Sequence, residues 1–298
     1  MLTAAAPAPI ALRARLSAYV ELTKPGIVRM VLITAGTGFF LAGGLSLDVV
    51  RLLHMLLGMA LVASGSCGLN EYVERDADAR MHRTAARPIP SGRMSPFAAL
   101  LFSSAISAAG LLYLALFLGM LTTSIVALSL ASYVFVYTPL KRITWLATPV
   151  GAVPGALPIL AGWTAGGGGV TAPGLALFGI LFLWQMPHFY ALAWMYREDY
   201  ARGGFRLITS LENAEPRIAR QIMLFSSALL AVSMLPSMLG LTGPVYLGAA
   251  MLLGIAFLYL SLAMALQRTD HRALRLFLGS VTYLPLLLII MVVDRLLF

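Results

Sequence analysis

The chain has 298 residues, 60% of them hydrophobic and only 11% charged, with mean hydropathy +0.88 and formal net charge +9. A soluble domain carries about 25% charged residues, so the composition excludes a soluble fold and leaves a polytopic membrane protein whose length suits one bundle. The basic excess is what cytoplasmic loops of such a bundle carry, so no nucleic-acid partner is implied, and the single cysteine, Cys67, rules out an internal disulfide.

Residues 1–25 hold Arg13, Arg15 and Lys24 with no clean apolar core before Pro25. They read as a cytoplasmic N-terminal segment rather than a cleaved signal, and 26–298 as a single transmembrane domain. Apolar runs bounded by charge, Gly or Pro predict nine helices, at about 27–46, 52–78, 96–117, 121–138, 146–165, 172–195, 217–239, 244–266 and 273–293. Of the 21 basic residues, 19 fall in the N-terminal segment and the loops after the second, fourth, sixth and eighth helices; only Arg51 and Arg295 lie on the other side. The positive-inside rule makes the first side cytoplasmic and places the C-terminus outside, as an odd helix count requires. Ten of the twelve acids share that side. Acids contribute little to orientation, so their placement predicts a polar site at the cytoplasmic end.

The second span runs straight into NEYVERDADARMHRTAARPIPSG, Asn70 to Gly92. Asn70, Glu74 and Asp78 are spaced by four and stack on one helical face. Glu71 lies at the edge of that face and Asp76 points away from it. Three oxygen-bearing side chains on one face suit Mg²⁺, which takes one or two carboxylates and leaves other positions to water and substrate phosphate. Arg80, Arg83, Arg87 and Arg93 follow, and guanidinium forks match phosphate oxygens. Acids for a metal beside arginines for phosphate are the parts that bind a diphosphate.

Further along, YTPLKR, Tyr137 to Arg142, supplies Lys141 and Arg142 for phosphate or a carboxylate. The stretch GAVPGALPILAGW, Gly151 to Trp163, predicts an irregular helix whose backbone allows close approach. The sixth span ends WQMPHFYALAWMYREDY, in which Pro187 should kink the helix. His188 then sits about two turns inside the membrane, and ionisable groups there are usually functional. Arg197, Glu198 and Asp199 form a second acidic cluster at the depth of the first, so two clusters could hold metal from opposite sides of one cavity.

These residues resemble the UbiA superfamily of intramembrane prenyltransferases. Its Asn-x-x-x-Asp-x-x-x-Asp motif reads Asn70, Glu74, Asp78 here, with Glu at the middle position. LTKP (Leu22 to Pro25), the run from Met81 to Gly92, YTPLKR, PGALP and WQMPHFYALA are similar to the haem-farnesylating branch. The superfamily's second motif, Asp-x-x-x-Asp, has Trp194 or Met195 at its first position and Asp199 as its best remaining ligand. The resemblance implies nine helices around a central cavity open toward lipid, with cytoplasmic loops as caps. It implies Mg²⁺ as cofactor and transfer from farnesyl diphosphate to the 2-vinyl group of haem b, with water added. It assigns Asn70, Glu74, Asp78, Glu198 and Asp199 to metal and catalysis. Lys24, Arg83, Arg87, Tyr137, Lys141, Arg142, Arg197 and His188 fall to the diphosphate or haem, with His188 an iron ligand or a polar group near the vinyl. The lipid bilayer, and haem A synthase or terminal oxidase assembly, are the further implied partners, and a bacterial inner membrane the location. Three other readings compete: a UbiA-type prenyltransferase acting on an aromatic or quinone-precursor acceptor; a transporter for an anion, whose site belongs near the midplane between repeats; and a haem-holding assembly protein.

Overall fold

The computed structural model describes residues 12–44 and 47–297; residues 1–11 of the expected N-terminal segment, and the expected end of the first span at 46, lie outside them. Eleven helices and no strand are found among the described residues: α1 Leu12–Leu22, α2 Pro25–Gly43, α3 Val49–Asp78, α4 Pro96–Leu118, α5 Met120–Leu140, α6 Ala147–Ala165, α7 Ala172–Met195, α8 Arg197–Gly203, α9 Ala214–Met238, α10 Pro244–Leu266 and α11 Asp270–Leu297. A short break at Met234 divides α9. All but α1 and α8 are long enough to cross a bilayer, each within a few residues of its expected position.

Their boundaries follow from capping. Asp48 accepts the Arg51 amide to start α3, and Ser95 accepts the Ala98 amide to start α4, with Pro96 in the first turn. Eight of the nine long helices are also apolar enough to span. The exception is α6, and its surroundings explain why. Fifteen of its 19 residues are buried, against α2, α5 and α7. A helix enclosed by others needs small side chains more than greasy ones. A Cβ on Gly38 of α2 would strike the Ile159 carbonyl, and one on Gly162 the Ala35 carbonyl, so these two backbones touch. Gly65 and Gly68 of α3 admit Ser107 and Ser103 of α4 in the same way.

Each long helix packs on its neighbours in a ring that runs α2 to α7, then α9, α10 and α11, with α11 also on α7 and only lightly on α2. Pro187 lies inside α7, which continues as helix to Met195. The N-terminal segment holds a helix that its weak apolar pattern did not announce. Ala18 and Leu22 of α1 are buried against Ile89, Met94 and Ala99, and Tyr19 meets Phe102 edge-on at 4.8 Å.

Candidate active site

The spacing by four on α3 survives folding. Asn70, Glu74 and Asp78 are 3%, 4% and 0% exposed at the charged end of the bundle, and each meets a cation. Lys24 Nζ donates to Asn70 Oδ1 at 3.1 Å. Lys141 forms an ion pair with Glu74. Arg87 Nη1 donates to Asp78 Oδ2 at 2.6 Å. Asp76, as its phase requires, is exposed, and its carboxylate lies 3.8 Å from Arg75.

Two local irregularities bring those cations in. Lys24 has φ of +50°, the one described non-glycine residue in the left-handed region. That conformation costs about 1–3 kcal/mol. Pro25 disfavours the right-handed alternative for the residue before it, and the outcome turns the ammonium onto Asn70. Burial, then the nearby Arg87, hold Lys24 below the ordinary lysine range. The second irregularity is a π-helical turn, Ser132–Tyr137, inside α5. Such turns cluster at functional sites. Here Thr138 Oγ1 donates to Tyr133 O at 2.7 Å and is free to accept from Asn70 Nδ2 at 3.1 Å. The turn sets Tyr133 beside Tyr137, ring centres 5.6 Å apart, and Lys141 Nζ 4.7 Å above the Tyr137 ring. Burial pulls the Lys141 ammonium down, but Tyr137 and Glu74 more than offset it, so its pKa stands above the usual value.

The loop after α3 folds back over this cluster. Thr84 Oγ1 donates to Asp78 O at 2.9 Å, and the Ile89 amide donates to Glu71 Oε1 at 3.2 Å. Glu71, expected only at the edge of the face, is 1% exposed and belongs to the site. Asp199 clips the same loop from the other side. It accepts the amides of His82 and Arg83 at 2.9 and 3.3 Å and Arg202 Nη2 at 2.8 Å. Burial alone would raise its pKa; Arg202 and the two amides outweigh that and hold it below the usual carboxylate value. The two acidic clusters are thus joined through loop backbone. Glu198 is exposed on a separate surface hollow of about 380 Å³, which Arg83 also lines while lying 5.3 Å over Tyr196. Arg197 pairs with Asp270 of α11 at 2.7 Å. Arg142 is exposed and makes no ion pair among the described residues.

Beneath the charged cluster lies an apolar cavity of about 540 Å³ between α2, α3, α5, α6, α7 and α11. Tyr137 and Cys67 line it one turn from Lys141 and Asn70, so cavity and cluster are continuous. Ile27 and Met30 of α2 and Val281 of α11 line it too, at 51%, 43% and 45% exposure. The cavity therefore opens sideways through the loose α2–α11 seam. His188, Gln185 and Tyr133 face it from α7 and α5. Only His188 of these three was expected. Tyr133 and Tyr137 are four apart, the one signal that could have marked Tyr133.

Among the described residues, two buried oxygens in the cluster have neither a hydrogen-bond nor an ion-pair partner: Glu71 Oε2 and Asp78 Oδ1. Each costs about 1–3 kcal/mol if left so, and oxygens in this state suit a hard cation. No three His, Cys, Asp or Glu side chains among the described residues converge enough to hold a metal alone. A divalent ion here would complete its shell with substrate phosphate and water, the usual habit of Mg²⁺.

The UbiA prenyltransferase family profile matches residues 31–286. The chain is 46% identical over 288 residues to the protoheme IX farnesyltransferase of Solibacter usitatus, covering 93% of this chain and 98% of that one. It is 42% identical over 283 residues to the protein of the same name from Salinibacter ruber, with 93% and 98% coverage. Among solved structures, a digeranylgeranylglyceryl phosphate synthase superposes with TM-score 0.79 at 18% identity, covering 95% of this chain and 99% of that one. A UbiA homologue from Archaeoglobus fulgidus, solved with GPP and Mg²⁺, gives 0.65 at 16%, with 92% and 99% coverage. The fold expected from the resemblance is the fold found, and the chain belongs to the UbiA prenyltransferase family, on the branch whose curated relatives are named protoheme IX farnesyltransferase.

Proposed function

We propose that the chain transfers the farnesyl group of farnesyl diphosphate to the 2-vinyl group of haem b, with addition of water, giving haem O and diphosphate. The observation that carries this is the junction at Tyr137 and Cys67, where a buried acid and cation cluster meets an apolar cavity open to lipid. A prenyl diphosphate has that same division into charged head and apolar tail.

Asn70, Glu74 and Asp78 would hold Mg²⁺, with Glu71 Oε2 in reach of the same region, and the ion would supply charge neutralisation as the allylic C–O bond breaks. Lys24, Arg87 and Lys141 now pair with Asn70, Asp78 and Glu74. Binding of diphosphate gives these three cations a second anionic partner, and Tyr133 and Tyr137 can donate their hydroxyls to it. Arg83, paired with no carboxylate among the described residues, lines the hollow beside Asp199 and suits a second anionic group such as a haem propionate. The cavity below keeps water from the allylic cation until the vinyl carbon meets it. Haem b, itself lipid-borne, reaches the cavity through the α2–α11 seam, and haem O leaves by the same route toward haem A synthase or oxidase assembly.

We place the charged end in the cytoplasm, with residues 26–298 as one domain in a bacterial inner membrane. The 19-to-2 division of basic residues supports this orientation. A reporter fused in the loop near Arg142 should behave as cytosolic and one at the C-terminus should not; the reverse pattern sinks the orientation. For the reaction, purified protein is incubated with farnesyl diphosphate, Mg²⁺ and haem b. Release of diphosphate with formation of haem O is expected. Haem bound without turnover would favour a holding protein, and neither would remove both readings.

A further inference from the structure

Apart from Tyr133 and Tyr137, assigned above to the diphosphate, the cavity's own hydroxyls are committed. Thr34, Ser66 and Ser129 donate to the backbone carbonyls of Val31, Val62 and Pro154. Two acceptors are not. Gln185 on α7 is 6% exposed and donates its amide nitrogen to Ala152 O at 3.3 Å and Leu181 O at 2.9 Å. Both partners are acceptors, which fixes the nitrogen on that side and leaves Oε1 as a lone acceptor over Gly155. His188 stands one turn further along. Its Nδ1 lies 2.7 Å from Ser280 Oγ. Ser280 gives its only hydroxyl hydrogen to Phe277 O at 2.6 Å, so its oxygen must accept from His188. Nδ1 then carries the imidazole proton, and Nε2 presents a lone pair. Trp184 locks the arrangement, stacking on His188 at 5.2 Å and donating to Ser280 O at 2.8 Å.

Two acceptors spaced i, i+3 on α7, on residues that line the cavity and with no donor among the described residues, match one molecule with two hydrogens. We infer that Gln185 Oε1 and His188 Nε2 hold the water that the reaction consumes, with His188 as its general base. The inference rests on the transferase reading above. The farnesyl C–O bond breaks and diphosphate takes its electron pair. The terminal vinyl carbon forms the new C–C bond, leaving a cation on the inner vinyl carbon. The water oxygen bonds to that carbon, and its proton passes to Nε2, which returns it to solvent when products leave. An iron ligand at Nε2 would account for His188 but leave Gln185 without a donor.

The alternative fate of the same cation is loss of a proton from the new methylene, giving an alkene lighter by one water. That partition is the test. Wild-type protein, Gln185→Met and His188→Phe are run with farnesyl diphosphate, Mg²⁺ and haem b in ¹⁸O-water, and prenylated haems are resolved by mass. Met keeps the chain volume and Phe keeps the stacking on Trp184, and either variant suffices should the other fail to fold. The wild type should give hydroxylated haem carrying ¹⁸O. In the His188 variant the ratio of hydroxylated to dehydrated product should fall about a hundredfold, the usual scale of general-base catalysis, and in the Gln185 variant it should fall in the same direction. An unchanged ratio overturns the inference. So does a folded variant that makes no prenylated haem at all, because these groups act after the C–C bond forms. A wild type that makes none removes the transferase reading instead.

Discussion

The two ends of the bundle bury ionic groups in different ways. At the end opposite the site, Asp294 is 2% exposed and uses both oxygens on the amides of Gly243 and Tyr246, at the N-terminus of α10. Arg51 there donates to the carbonyls of Ala165 and Leu118, at helix C-termini. Both of these charges are answered by backbone, in the sense the helix dipoles favour. At the charged end, Asp78 is fully buried but gives one oxygen to Arg87 and leaves the other unpartnered. Glu71 likewise leaves one oxygen bare. Charge used for stability is saturated; charge kept for a ligand is left incomplete.

Breaking the buried pair at the charged end should have the largest effect. Lys141→Met strands Glu74, at a cost of about 3–5 kcal/mol, and should lower both the melting temperature and farnesyl diphosphate affinity. A variant as stable as wild type would show that Glu74 needs no partner. Asp78→Asn comes next. Turnover should fall roughly a hundredfold or more, with the protein still folded by its melting curve. Asp294→Asn should do the opposite: about 1 kcal/mol less stability from a weakened cap, with turnover per folded molecule kept. If the two Asn variants behave alike in both measurements, the contrast between the ends fails.

Asp199 sharpens the comparison, because it sits at the charged end yet is saturated. Its folded pKa is depressed, so its stabilisation is present above the ordinary carboxylate pKa and is lost as pH falls through the lowered folded value. Asp199→Asn should flatten the acid limb of the stability curve, measured by melting temperature against pH. An unchanged acid limb would mean that the clip to His82 and Arg83 adds nothing. The smallest effect is expected at Asp76, exposed beside Arg75. Asp76→Asn should leave turnover and stability near wild type, and a large loss there would mean the helical phase of α3 is misread.

Much of this site was legible because helical spacing is rigid. Asn70, Glu74 and Asp78 share a face by arithmetic, and Asp76 leaves it by the same arithmetic. What stayed hidden depends on departures from that spacing or on distant chain. The burial of Glu71 needs the Ile89 amide, eighteen residues away and delivered by a folded loop. Arg142 and Arg197 looked equivalent to Lys141 as basic loop residues, but one faces outward and the other pairs with α11. The role of Gln185 depends on which carbonyls take its amide hydrogens, a fact of α6 packing. Helix α6 itself was found by its length, although its Gly, Pro and Thr content lowers its hydropathy, because turns bounded it on both sides.

The π-helical turn in α5 has a consequence for the chain's tolerance of length change. A π turn holds one residue more than the α-helical turn it replaces. Removing any single residue from 132–137 would let the segment relax into regular α-helix at little local expense. The surplus residue would absorb the loss, because a π turn spends one residue more on about the same rotation. Everything beyond it would keep its phase, so Thr138 would still face Asn70 and Lys141 would still reach Glu74. A deletion from a regular α-helix instead turns all that follows by about 100°. Here the damage would stay inside the turn, where Tyr133 and Tyr137 stand. The surplus residue is a local slack in the residue count of α5, spent on placing those two rings.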